Sequence, residues 1–195
     1  MTEITKASET ERYDVGRPSL AIGNITIHNI KQLRVINQVA FPLRYGDSYY
    51  TNVVKRIYQG LFAYYNDLTV GELVYRIDFS DSGERNLYIM TLAVLPAYRR
   101  RGVGKILIDH VLQVFRYDKR LKSVFLHVHV SNHAALKFYE NCASFKNEER
   151  IPDFYSELDP QDAFRLRLDR DAAENDGEEN TESTKFIVNT VTEAQ

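Results

Sequence analysis

A glycine-containing segment in the middle of the chain constrains the fold more than any other feature. Arg99, Gly102 and Gly104 form an R-x-x-G-x-G pattern that follows an apolar run at residues 87–95 and opens an amphipathic stretch at residues 102–117. Glycine lacks a Cβ atom, so the backbone can approach a ligand closely, and the first turn of a helix presents unpaired N–H groups to an anion. Together with the positive charges at residues 99–101, this pattern predicts a strand, a loop and a helix that hold a pyrophosphate group.

Composition restricts the class of protein. The chain has 195 residues, of which 44% are hydrophobic, and this suits one globular domain with a sizeable core. Its single cysteine, Cys142, excludes an internal disulfide and favours a reducing compartment. We therefore expect a cytoplasmic protein and leave the nucleus open as a second location.

Charge and hydrophobicity argue against two classes of partner. Seven acidic residues and one lysine give residues 171–195 a net charge of −6, which leaves +4 for residues 1–170. That charge is far below what a dedicated nucleic-acid binder carries. No run approaches the ~18 apolar residues of a membrane span. We expect neither a membrane nor direct nucleic-acid recognition.

Hydrophobic periodicity predicts a folded domain at residues 19–170 between two polar ends. Residues 1–18 and the acidic residues 171–195 lack periodicity, so we expect both to be disordered. Inside the domain the predicted order is β-α-α-β-β-β-α-β-α-β-β. Strands are predicted at 20–27, 61–65, 68–79, 87–95 and 124–130, with a closing hairpin from 145 to 168, and helices at 30–40, 48–58, 102–117 and 134–141. The unit at residues 87–130 predicts a parallel crossover, and hence a mixed α/β sheet with ligands at its carboxyl edge.

Several segments carry a specific resemblance to a known family. They read HNIKQL at residues 28–33, FPLRY at 41–45, LYIMTL at 87–92, AYRR at 97–100 and LHV at 126–128. With the R-x-x-G-x-G pattern after the fourth strand, they resemble the GNAT superfamily of acetyl-CoA-dependent acetyltransferases. Within it they are similar to N-terminal acetyltransferases of the NatE catalytic-subunit type. The resemblance spans about residues 20–168 and implies the acyl-CoA N-acyltransferase fold, a twisted mixed sheet of about seven strands flanked by about four helices.

The resemblance implies a role for individual residues. Tyr88 and His127 take the catalytic positions, and acetyl-CoA is the cosubstrate. The implied cofactor-binding set is Leu92, Ala93, Val94, Arg99, Arg100, Arg101, Gly102, Val103, Gly104, Lys105, Asn132 and Tyr139. The implied substrate-binding set is Phe41, Pro42, Leu43, Tyr45, Tyr88, Met90, Phe154 and Tyr155. We expect residues 92–94 to contribute backbone rather than side chains, because a strand interrupted near its end frees N–H and C=O groups for the cofactor.

Two positions depart from the family pattern. Phe154 stands where the family normally has a tyrosine, and residues 142–145 read CASF where the family has a Phe-Gly-Phe turn. The geometry of the loop at residues 142–145 is therefore left open.

The chemistry of His127 and His129 is compatible with a catalytic role and also with packing or metal binding. An α-amine, with a pKa near 7.7 to 8.0, is partly neutral at pH 7, so an imidazole suffices as its base. His127 and His129 alternate along a strand and face the same side of the sheet, and either histidine is a packing residue if the resemblance is set aside. An H-x-H pair also suits zinc, but no third ligand is evident, so we expect no metal.

We therefore expect an acetyl-CoA-dependent protein N-α-acetyltransferase that acts on protein N-termini. The apolar character of Phe41, Pro42 and Leu43 predicts a preference for a retained methionine followed by an apolar residue. The amine attacks the thioester directly, because Cys142 lies outside every expected site element. Two alternatives stay open: acetylation of lysine or small amines, and a non-catalytic acetyl-CoA-binding subunit. As partners, the resemblance implies the auxiliary and catalytic subunits of NatA and the ribosome.

Overall fold

One sheet of seven strands runs through the domain and carries helices on both faces. The computed structural model describes residues 18–170. Its strands are β1 Leu20–Asn24, β2 Gln59–Tyr65, β3 Leu68–Phe79, β4 Arg85–Val94, β5 Leu121–His129, β6 Lys146–Ile151 and β7 Ala163–Asp169. Its helices are α1 Ile30–Ala40, α2 Asp47–Val54, α3 Val103–Tyr117 and α4 His133–Ala143, with a 3-10 turn at Pro96–Tyr98. The predicted chain order of strands and helices is confirmed. The ends predicted to be disordered lie outside the described residues, apart from Pro18.

The sheet is antiparallel except at one pair of strands. Its spatial order is β1-β2-β3-β4-β5-β7-β6. β4 and β5 are parallel, as the crossover through α3 requires, because an intervening helix returns the chain to the same end of the sheet. The mixed α/β sheet predicted from the sequence is therefore confirmed, and β4 and β5 share the edge at which their carboxyl ends meet.

Each face of the sheet buries a separate hydrophobic cluster. The apolar side chains of α3 recur every four residues, at Val103, Leu107, Val111 and Phe115, and each is at most 1% exposed. They pack on one face together with residues of β2 to β5, β7 and α4. On the other face α1 and α2 contribute Leu33, Ile36, Tyr49 and Val53, which pack on Phe62 and Val74. Complete burial of such a side chain contributes about 1.5–3 kcal/mol. The first cluster therefore holds β4 and β5 from one face, and the second holds β3 and β4 from the other.

Two elements end earlier than periodicity predicts, because local hydrogen bonds turn the chain. β1 stops at Asn24 rather than at residue 27. There the Asn29 side chain donates to the Asn24 carbonyl at 3.1 Å and accepts from the Thr26 amide at 2.7 Å. α2 stops at Val54 rather than at residue 58, because the N–H groups of residues 57 and 58 both donate to the Asn52 carbonyl.

The loop that departs from the family pattern ends α4. Ser144 lies at the end of the helix with φ of 52° and ψ of 27°, in the left-handed region that glycine usually occupies at a helix C-terminus. The chain therefore makes the turn without glycine, and Phe145 after it is buried against the ring of Tyr139 at 5.6 Å between centroids.

Candidate active site

A cavity opens where β4 and β5 separate. Their pairing ends at Tyr88 opposite Phe125, while β4 continues to Val94 in register with β3. Beyond Tyr88, the edge of β4 that faces β5 therefore has no strand partner within the described residues. The cavity has a volume of about 440 Å³ and lies at the carboxyl ends of the parallel strands. Separation of the strands provides both the space and the free backbone groups that a ligand needs.

A β-bulge accompanies this separation. The sequence predicts that β4 is interrupted near its end but does not locate the bulge. In the structure Val74 faces Thr91 and Tyr75 faces Ile89, so Met90 is the extra residue. Residues 92–94 stay paired with β3 and are free only on the side towards β5. A bulge increases the local twist, which turns the end of β4 away from β5.

The glycine-containing loop has the geometry of an anion site. Gly102 has φ of +83°, a conformation that strains other residues, and α3 begins immediately after it. The first helical bond runs from the Ile106 amide to the Gly102 carbonyl at 3.1 Å, so the N–H groups of residues 103–105 precede it. At Gly104 a Cβ atom would lie 3.2 Å from the Phe138 ring, so glycine lets α4 pack closely on α3. These features fit a pyrophosphate.

The basic side chains of the loop mostly bind the protein itself. The Arg99 Nε donates to the Val94 carbonyl at 3.0 Å, and Arg101 donates to the Tyr65 hydroxyl at 3.3 Å. Lys105 pairs with Asp109 at 2.8 Å. The side chain of Arg100 differs from those of Arg99 and Arg101, because it makes no hydrogen bond or ion pair with the described part of the protein. The cofactor roles of Arg99, Arg101 and Lys105 stay predictions, and their contacts show that they also brace the loop.

Tyr88 and His127 lie next to each other at the point where the strands separate. The His127 Nδ1 and the Tyr88 hydroxyl are 3.2 Å apart. Burial lowers the pKa of His127 to about 4, with a further contribution from the Arg165 charge. Burial also raises the pKa of Tyr88, against an opposing effect of Arg76. At neutral pH the imidazole is therefore uncharged and the phenol keeps its proton.

His129 faces the same cavity but both of its nitrogens are engaged. Its Nε2 donates to the Pro160 carbonyl at 2.6 Å, and its Nδ1 accepts from the Ser131 amide at 3.3 Å. The carbonyl partner fixes the proton on Nε2. No lone pair of this imidazole is left for a substrate, so His129 braces the loop before β7.

Aromatic residues after β6 cover the catalytic pair. The Phe154 ring stacks on His127 with 4.3 Å between centroids, and the Tyr155 hydroxyl donates to the His127 carbonyl at 3.3 Å. Tyr155 lines the cavity, whereas Phe154 packs behind the imidazole. Phenylalanine at residue 154 keeps the ring stacking and lacks the hydroxyl that the family pattern would place there.

Ten of the 21 expected site residues line this one cavity, whereas Tyr88, Phe154 and residues 99–105 lie outside its lining. Its lining includes Phe41, Pro42, Leu43, Tyr45, Met90, Leu92, His127, Asn132, Tyr139 and Tyr155. Asn132 also accepts a hydrogen bond from the Ala135 amide at 3.2 Å and so begins α4. Tyr139 is 6% exposed, and burial raises its pKa well above the usual range. Ala93 is instead buried among residues of α1 and α2.

One polar feature of the site was missed by the sequence analysis. Glu72 is fully buried on β3 and accepts a hydrogen bond from Thr91, which lines the cavity. The available signal was an acidic residue inside the apolar run of residues 70–75. Among the described residues, no group of three side chains has the composition of a metal site. Within the same range, no helix combines the length and hydrophobicity that a membrane crossing requires.

Comparison with known proteins gives a consistent result. Residues 30–145 match the acetyltransferase (GNAT) family model. The chain is 39% identical over 148 residues to N-alpha-acetyltransferase 50 of Danio rerio, covering 76% of this chain and 87% of that protein. It is 38% identical over 151 residues to the probable N-acetyltransferase san of Drosophila melanogaster. This match covers 77% of this chain and 81% of that protein.

A solved structure supports the same relationship. The chain matches Arabidopsis thaliana Naa50 in complex with the bisubstrate analogue CoA-Ac-MVNAL, with a TM-score of 0.70 and 34% identity. The match covers 77% of this chain and 98% of that one. The family model matches more than half of the chain, and two relatives exceed 30% identity over most of it. The chain therefore belongs to the GNAT family of acetyltransferases.

Proposed function

We propose that this protein is an acetyl-CoA-dependent N-α-acetyltransferase that acetylates the α-amine of protein N-termini. The observation that carries the proposal is the Tyr88–His127 contact of 3.2 Å at the mouth of the separated strands. Relatives at 38–39% identity are named N-acetyltransferase or N-alpha-acetyltransferase, and the structure of Naa50 holds a CoA analogue joined to a peptide. The shared fold and the cavity support the same activity for this chain.

The cofactor supplies the acetyl group as an activated thioester. The N–H groups of residues 103–105 bind its pyrophosphate at the start of α3, where the helix dipole also favours an anion. The unpaired edge of β4 at residues 92–94 accepts the amide-containing arm. Asn132, at the start of α4, lies on the opposite wall of the cavity and contacts the same arm.

Tyr88 and His127 take the proton from the attacking amine. An α-amine with a pKa near 7.7 to 8.0 is partly neutral at pH 7, so a weak base suffices. His127 is uncharged because its pKa is about 4, and it is therefore free to accept a proton. A water molecule between the amine and the pair passes the proton on. The Tyr139 hydroxyl keeps its proton at neutral pH and passes it to the thiolate that leaves, while a water molecule of the cavity returns to Tyr139 the proton that the amine has lost.

The walls of the cavity favour an apolar first residue. Phe41, Pro42, Leu43 and Met90 form one side, and Tyr45 and Tyr155 border it. None of these side chains carries a charge that would attract an acidic or basic side chain, and the acidic residue of the cavity lining, Asp159, belongs to the loop before β7. A retained methionine followed by an apolar residue is the N-terminus that suits this lining.

We also propose the partners and location that the family resemblance implies. The protein docks on the auxiliary and catalytic subunits of NatA and on the ribosome, in the cytoplasm, and the nucleus stays open as a second location. The net charge of +4 on residues 1–170 suits a ribosomal surface.

One assay separates this function from its alternatives. The purified protein is given acetyl-CoA with a peptide that starts Met-Leu, and in parallel with an N-terminally blocked peptide that contains lysine. Acetylation of the first peptide supports the proposal, and faster acetylation of the second favours a lysine acetyltransferase. Acetyl-CoA binding without turnover of either peptide favours a non-catalytic subunit.

A further inference from the structure

A buried carboxyl group lies directly behind the wall of the cavity. Glu72 on β3 is 0% exposed. Its Oε2 accepts a hydrogen bond from the Thr91 hydroxyl at 2.9 Å, and that hydroxyl is 2.8 Å from the hydroxyl of Tyr49. Its Oε1 has no hydrogen-bond partner within the described residues. One oxygen of this buried carboxyl therefore has a hydrogen-bond partner and the other has none. A buried polar atom without a partner destabilises the fold.

No cation compensates this carboxyl in the described part of the chain. The groups that interact with it from the surrounding elements are uncharged: the phenols of Tyr45, Tyr49 and Tyr139, and the hydroxyl of Thr91 on β4. The nearest basic side chain on the same face of β3, Arg76, pairs with Asp78 at 2.7 Å. Burial raises the pKa of Glu72 to about 8, with the Thr91 hydrogen bond as the opposing effect. A buried carboxyl with this property beside a cavity is typical of functional sites.

The Thr91 side chain separates Glu72 from the cavity in which the substrate amine binds. Thr91, its hydrogen-bond partner, lines the cavity. Tyr45 also lines the cavity and stacks on Tyr49 with 4.6 Å between ring centroids. The cluster of Glu72, Thr91 and Tyr49 therefore supports the part of the cavity wall that Thr91 forms, and Thr91 follows Tyr88 by three residues on β4.

We propose that Glu72 is a positioning residue that provides the counter-charge for the α-ammonium group of the incoming peptide. The inference rests on the proposed function. When the ammonium enters the cavity, the O–H bond of the Glu72 carboxyl breaks, its proton leaves to solvent, and the carboxylate attracts the ammonium across Thr91. By linkage, the ammonium favours the ionised carboxyl as much as the carboxylate favours the ammonium. The charge selects an amine and holds it in place before Tyr88 and His127 remove a proton.

Infrared difference spectroscopy tests the ionisation directly. CoA replaces acetyl-CoA so that no turnover occurs, and a Met-Leu peptide is added at pH 7. At a pKa of about 8 the free protein holds most of Glu72 in the protonated form. The carbonyl band of a protonated carboxylic acid should disappear on peptide binding in the wild type and be absent throughout in Glu72→Gln. A control peptide with a hydroxyl in place of the α-amine should leave the band unchanged.

Kinetics provides a second measurement. Glutamine keeps the shape of the side chain and an acceptor for Thr91, so Glu72→Gln should fold and melt no lower than the wild type. Its KM for the peptide should rise about tenfold, the equivalent of one pKa unit of coupling. Its kcat should not fall, because the same coupling raises the pKa of the bound α-amine in the wild type and so opposes its deprotonation. Tyr49→Phe is the matched control, because it removes a hydroxyl of the cluster and keeps the carboxyl, and its KM should change little.

Each outcome has a distinct meaning. A band that persists when the amine peptide binds, or a free protein with no such band, overturns the role of Glu72. An unchanged KM in Glu72→Gln overturns it as well. A wild type that acetylates no peptide refutes the proposed function instead, so failure of the inference and failure of the function are distinguishable.

Discussion

His127→Ala should abolish most of the turnover, whereas His129→Ala should not, although both imidazoles face one cavity. The His127 ring has one nitrogen next to Tyr88 and is uncharged at neutral pH, so it is available as a base. Loss of a general base typically lowers the rate by a factor of about 10² to 10⁴. Both nitrogens of His129 are bound, to the Pro160 carbonyl and the Ser131 amide, so its removal takes away no acceptor for the substrate.

Both substitutions should lower the stability of the protein, but only His127→Ala should lower the rate strongly. His129→Ala loses two hydrogen bonds, each worth about 0.5–1.5 kcal/mol, and should lower the melting temperature by about 2–4 °C for each kcal/mol. Its kcat should stay within about threefold of the wild type. His127→Ala should also melt below the wild type, because it loses the Tyr88 hydrogen bond and the stacking on Phe154. It should bind acetyl-CoA normally, because the cradle of residues 102–105 lies on a different element.

The assay is steady-state acetylation of a Met-Leu peptide by both variants, with calorimetry of acetyl-CoA binding and thermal melting as controls. A reversed ranking of kcat between two folded, cofactor-binding variants would refute the assignment. Retention of more than a tenth of the wild-type kcat by His127→Ala would also do so, because a rate loss that small is below the range expected for a general base.

Three further outcomes are expected. Gly102→Asp should lower acetyl-CoA affinity at least about 100-fold in calorimetry, whereas Gly102→Asn, which also tolerates positive φ but adds no charge, should lower it far less; equal losses would indicate backbone strain rather than repulsion. Burial lowers the pKa of His110 to about 4 from 6.5, so the unfolded chain binds more protons as the pH falls below 6.5. The wild type should thereby lose up to about 3 kcal/mol of unfolding free energy between pH 6.5 and 4 in urea titrations, and His110→Met should lack that loss. In a library of first residues, Met-Leu peptides should outrun serine and acidic starts, and equal rates would exclude an apolar pocket at Phe41 and Pro42.

Elements dictated by local pattern were predictable from the sequence. The four-residue spacing of Val103, Leu107, Val111 and Phe115 defines α3 without any knowledge of its neighbours, because one face of a helix must be apolar to pack on a sheet. The order of strands and helices and the R-x-x-G-x-G cradle follow from the same kind of local information. Family resemblance then directed attention to residues that periodicity alone does not single out, such as Tyr88 and Tyr139.

Features that depend on partners far along the chain were not predictable. The bulge at Met90 is defined by pairing with β3, and the sequence does not reveal its position. The ends of β1 and α2 depend on single side-chain and carbonyl contacts, which compete with hydrophobic periodicity. A sequence pattern records none of these contacts.

His127 and His129 show most clearly which properties follow from the sequence and which follow from the tertiary structure. Residue type and alternation place His127 and His129 on one face, and the sequence by itself determined that much, together with the cradle and the chain order. Tertiary structure decided which imidazole keeps a free nitrogen, because Pro160 lies 31 residues from His129 and Tyr88 lies 39 from His127. It also decided that Glu72 is buried without a cation behind the cavity. Hydrogen bonding and desolvation depend on which groups the fold brings within a few ångströms, and that distance is unrelated to separation along the chain.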